Sequence, residues 1–66
     1  MKKYVVIKVG HRYVHIDQEG IFTIVKSKKL ATFWDIEMQP YVEEGMDRIF
    51  ESGLNARVVI CDSMSD

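Results

Sequence analysis

Two glycines ten residues apart, Gly10 and Gly20, cut an alternating apolar stretch into three pieces, and this punctuation limits the fold more than any other feature. The stretch reads VIKVGHRYVHIDQEGIFTI from Val6 to Ile24. Gly10-His11 has the glycine-first order of a two-residue type II′ hairpin. That turn sets Val9 against Arg12, Lys8 against Tyr13, Ile7 against Val14, Val6 against His15 and Val5 against Ile16. Asp17-Gln18-Glu19-Gly20-Ile21 fits a three-residue loop that closes on a left-handed residue, the conformation glycine adopts without a Cβ clash. Its register sets Ile16 against Phe22, Val14 against Ile24 and His15 against Thr23. Side chains alternate across a strand, so both turns sort Val5, Ile7, Val9, Val14, Ile16, Phe22 and Ile24 onto one face. Tyr4, Val6, Lys8, Tyr13, His15, Thr23 and Val25 take the other, with Lys2 ahead of them.

After the basic turn Lys26-Ser27-Lys28-Lys29, a short strand is expected near Ala31–Trp34, then a bent connection. Asp35 could cap a helix that already includes Ile36 to Gln39, but Pro40 argues against it. Proline deep in the first turns deletes a backbone bond, whereas at the first helical position it is welcome. The favoured helix therefore runs from about Pro40 to Ser52 and ends at Gly53. Val42, Met46, Ile49 and Phe50 form its core stripe at i, i+4, i+7 and i+8, with Tyr41 and Gly45 beside it. Ala56–Cys61 is nearly continuous in apolar residues, which suggests a strand inside the sheet. The expected architecture is α+β: a mainly antiparallel sheet of four or five strands with one helix on one face, in the order β-β-β-(β)-α-β. Residues 1–61 form a single domain and 62–66 a flexible tail.

A core this small is marginal, since a domain of about 60 residues buries only about 60 % of the surface its unfolded chain exposes. Cys61 is the sole cysteine, which excludes an intrachain disulfide and a cysteine-rich zinc site. Homodimerisation is the remaining aid, and a lone thiol suits a reducing, cytoplasmic setting. The apolar run after Lys3 stops at Lys8, too short for a signal peptide or a membrane span.

Chemistry-bearing residues are sparse. His11 and His15 point the same way but stand about 13 Å apart along a strand, too far to share one metal ion. Cys61 follows Val58-Val59-Ile60, surroundings that favour a buried thiol over a reactive thiolate. The four glycines stand apart and make no phosphate-cradling loop. The reading is of a protein that is not an enzyme and takes no cofactor or metal.

Two surfaces carry the functional expectations. The first 34 residues hold seven lysines and arginines against two acids, and the remaining 32 hold two against eight. On the outer helix face Glu43, Asp47 and Glu51 recur every four residues, a carboxylate row suited to a basic partner surface; Glu44–Arg48 offers the one favourable i,i+4 pair. On the outer sheet face Tyr4, Lys8, Tyr13 and His15 interleave rings and cations. That mixture serves either a protein partner, a second copy of the sheet, or single-stranded nucleic acid.

The stretch Lys3-Tyr4-Val5-Val6-Ile7-Lys8-Val9-Gly10, the Tyr13-Val14 pair, the step Lys28-Lys29-Leu30-Ala31-Thr32-Phe33 and the closing strand Arg57–Ile60 resemble small proteins encoded by phages and prophages of Gram-positive bacteria. That resemblance implies a mobile-element origin, where tiny proteins inhibit host enzymes or defence systems, anti-CRISPR proteins among them. The leading expectation is thus a non-enzymatic protein-binding module, an inhibitor of a bacterial host or defence protein. A single-stranded nucleic-acid-binding domain and a homo-oligomeric assembly protein are the alternatives.

Overall fold

The computed structural model describes residues 3–62. Of the expected tail 62–66, residues 63–66 lie outside the described residues, as does the outer-face Lys2. The chain forms an α+β fold, a five-stranded antiparallel sheet with one helical segment on one face: β1 (Tyr4–Val9), β2 (Arg12–Ile16), β3 (Phe22–Val25), β4 (Trp34–Asp35), α1 (Gln39–Gly45), α2 (Asp47–Glu51) and β5 (Ala56–Cys61).

Both glycine turns form as the sequence predicts. Gly10 sits at φ +62° between Val9 and Arg12, which pair across it. Gly20 takes φ +83°, its N–H donating to the Asp17 carbonyl at 3.0 Å, and β2 pairs β3 in the expected register from Ile16–Phe22 to Tyr13–Val25. Asp17 Oδ1 accepts from the N–H groups of Glu19 and Ile21 and braces the loop.

The first hairpin departs from expectation. Only Lys8–Tyr13 and Val9–Arg12 pair between β1 and β2. Nearer the start of β1, Val5 lies opposite Trp34 of β4 rather than Ile16. The two strands fork, and Thr32 occupies the opening: its N–H donates to the Val14 carbonyl at 3.1 Å, and its hydroxyl accepts from the Ile16 N–H at 2.7 Å and donates to the Ile16 carbonyl at 3.2 Å. One threonine thus supplies the ladder that β2 loses on leaving β1. The predicted strand at Ala31–Trp34 is displaced to Trp34–Asp35, and a 3₁₀ turn at Lys28–Leu30, capped by the Ser27 hydroxyl, precedes it.

Helical structure begins before Pro40, contrary to the favoured boundary. A 3₁₀ turn spans Ile36–Met38, closed by the Gln39 N–H on the Ile36 carbonyl. Proline follows in the first turn of α1, where its missing N–H breaks no helical bond. The segment is interrupted at Met46, whose N–H reaches back three residues to Glu43 rather than four. Gly53 ends it at φ +85°, as expected.

Val42, Met46 and Ile49 pack on Val5, Ile7, Val14 and Ala56, with Val9, Ile16, Phe22, Ile24, Trp34 and Val58 around them. This is the predicted aliphatic face beneath the predicted helix. Phe50, expected in the same stripe, is 46 % exposed, because one residue on from the buried Ile49 it falls at the margin of that stripe.

Strand β5 is not interior. It pairs β1 along its whole length, Tyr4–Cys61 to Val9–Ala56, and no other described strand. The central strand is β1, with β5 on one side and β2 and β4 sharing the other.

Candidate functional site

The outer sheet face is partly roofed. His15, placed there by its register with Thr23, has Nδ1 3.1 Å from the Leu30 carbonyl, so the 3₁₀ turn crosses that face of β2 before Thr32 enters the fork. A carbonyl only accepts, which makes Nδ1 the protonated nitrogen of this contact. Val6 alternates with Val5 and Ile7 and therefore points away from the helix, yet it is 0 % exposed. Val6 and Ala31 are both buried, and neither belongs to the helix-side cluster.

The rings expected to form a stacking platform already have partners. Tyr4 meets Phe33 edge to face, centroids 6.2 Å apart at 88°. The Lys8 ammonium lies 5.1 Å from the Tyr13 ring centroid. Tyr4, Lys8 and Tyr13 are half-buried and His15 is exposed. The four residues share a face, as predicted, but as two separate ring contacts and a histidine turned to the roof.

Register adds a residue that the sequence reading left out. Arg57 of β5 lies directly opposite Lys8 and is exposed. Like charges directly opposite on a sheet repel, and the tilt of Lys8 over Tyr13 draws its ammonium aside. Arg57 therefore joins the basic face although it lies in the acidic half of the chain. Once β5 is known to pair β1, its alternation alone reveals this.

On the helical layer Glu43, Asp47 and Glu51 are all exposed, as are Glu37 and Glu44. Glu43 lies on α1, and Asp47 and Glu51 lie on α2 beyond the Met46 break. Glu43 Oε1 accepts from Gln39 Nε2 at 3.2 Å. Arg48, expected to answer Glu44, extends to the β2–β3 turn, where a Cβ on Gly20 would come within 3.3 Å of its Nη1. The same layer exposes apolar side chains: Tyr41 is 66 % exposed and Met38 42 %, alongside Phe50.

Cys61 is a free, half-buried thiol opposite Tyr4. Among the described residues no three histidine, cysteine or acidic side chains gather as a metal site, and no helix is long and apolar enough to cross a membrane. In comparisons with protein-family models, curated proteins and solved structures, nothing matches this chain.

Proposed function

We propose that this chain is a non-enzymatic protein-binding module whose helical layer docks on a basic surface of another protein. One observation carries the reading: the carboxylates of Glu43, Asp47 and Glu51 share an exposed layer with the uncovered rings of Tyr41 and Phe50. Interfaces combine aromatic anchors, which supply most of the binding energy, with a charged rim that steers encounter and selects the partner. The resemblance to phage-encoded proteins adds that the partner is a bacterial host or defence protein. The helical layer is preferred to a nucleic-acid platform because base stacking on Tyr4 or Tyr13 would have to displace contacts those rings already make.

The test is capture from a bacterial lysate, followed by titration of the captured protein against the wild-type chain and the triple variant Glu43→Lys, Asp47→Lys, Glu51→Lys. All three positions are exposed, so the far-UV circular dichroism spectrum stays unchanged while binding is abolished. Undiminished binding by the triple variant removes the helical layer as the contact surface.

A further inference from the structure

The sheet has two lateral edges, and they differ in kind. Strand β3 is four residues long and runs straight into Lys26, Lys28 and Lys29, the short, lysine-flanked form in which edges resist pairing. Strand β5 is six residues long, reads ARVVIC, contains no proline, and carries one charge. Ile60 is 51 % exposed on it.

The ladder shows which backbone groups of β5 remain open. The Lys3 carbonyl accepts from the Ile36 N–H at 3.2 Å, and Val9 pairs Arg12 across the two-residue turn. Odd-numbered residues of β1 thus direct their backbone groups toward β4 and β2, and Tyr4, Val6 and Lys8 direct theirs toward β5. Their partners Cys61, Val59 and Arg57 are engaged. Ala56, Val58 and Ile60 turn their N–H and C=O groups outward, where no described strand meets them.

We propose that this edge pairs antiparallel with β5 of a second copy, about a twofold axis at Val59. Self-complementarity selects the occupant. In that register Val59 faces its own copy, Val58 faces Ile60 of the partner copy, and Arg57 faces Cys61, so no charge meets its like. A twofold axis normal to the sheet keeps like faces together, giving one continuous ten-stranded sheet with both acidic helical layers on the same side. This inference uses the open backbone edge of β5 rather than the exposed side chains of the helical layer and stands independently of the proposed function.

Sedimentation equilibrium across a wide concentration range is expected to show a monomer–dimer equilibrium. Proline separates the edge from the fold: Val58→Pro removes an outward N–H, tolerated on an edge strand, and yields a folded monomer, whereas Val59→Pro removes an inward N–H and disrupts the sheet. Should Val58→Pro fail to fold, cross-linking across the axis still decides. In Val59→Cys/Cys61→Ser the new thiols face each other in a non-hydrogen-bonded pair, whose spacing suits a disulfide, and mild oxidation yields a covalent dimer. A monomer at every concentration overturns the proposal. So does a dimer indifferent to Val58→Pro, a Val59→Cys/Cys61→Ser variant that stays uncross-linked on oxidation, or a ladder of higher oligomers, which would indicate head-to-tail pairing of β5 with β3.

Discussion

The Thr32 hydroxyl holds both the N–H and the C=O of Ile16 at the point where β1 and β2 separate. Leaving a buried polar group without its partner costs about 1–3 kcal/mol. Thr32→Val keeps the side-chain shape and strands both groups, so the expected loss is of that order. Thr32→Ser keeps the hydroxyl and recovers most of it. Urea denaturation of the three proteins checks this, and a Thr32→Val variant as stable as wild type would mean that the fork is held by packing alone. This residue also marks where the sequence stops being legible. Gly10, Gly20 and Gly53 could be read because each turn is decided by chemistry within a few neighbours. Thr32 acts on a strand sixteen residues earlier, and nothing in its local surroundings announces that.

At the scale of elements the helical segment is two short pieces meeting at Gly45 and Met46. Gly45 has helical geometry without positive φ, and a Cβ placed there finds nothing within 4 Å. Gly45→Ala therefore only reduces the freedom of the unfolded chain, and about 0.4–1 kcal/mol of stabilisation is expected. Gly53 has equally open surroundings but sits at φ +85°, so Gly53→Ala is destabilising. Thermal unfolding should separate the two variants, with shifts of roughly 4–8 °C per kcal/mol in a chain of this size. A fall in melting temperature for Gly45→Ala would show that the break needs glycine. The inner face was legible as an element because two turn registers and the 3.6-residue period from Val42 to Ile49 agreed. The lateral place of β5 was not legible. An apolar run reports cover on both faces of a strand, not neighbours on both edges. Val58 lies toward the helix, and Val59 and Cys61 lie beside Val6 and Tyr4. The forked hairpin was missed for a related reason: alternation fixes which side chains share a face, but it is silent about where a strand exchanges one neighbour for another.

Across the whole molecule the imbalance between the two halves of the chain becomes an imbalance between two layers. The sheet side carries Lys8 and Arg57, with Lys29 on the turn that crosses it, and the helical side carries Glu37, Glu43, Glu44, Asp47 and Glu51. The fold transfers Arg57 to the basic side by pairing it opposite Lys8, while Arg48 of α2 stays among the carboxylates of the helical side. A formal net charge of −1 at pH 7 conceals this. Surface charges act over about a Debye length, roughly 10 Å at 0.1 M salt, so a charged matrix responds to the layer that faces it rather than to the sum. At pH 7 and low ionic strength the protein is accordingly expected to be retained on both anion- and cation-exchange resins. Glu43→Gln/Asp47→Gln/Glu51→Gln should abolish retention on the anion exchanger and strengthen it on the cation exchanger, while Lys8→Gln/Arg57→Gln does the reverse. Elution of the wild-type protein in the flow-through of the cation exchanger would show that the basic residues do not act as one surface. The placement of Arg57 beside Lys8 would then have no electrostatic consequence beyond their mutual repulsion.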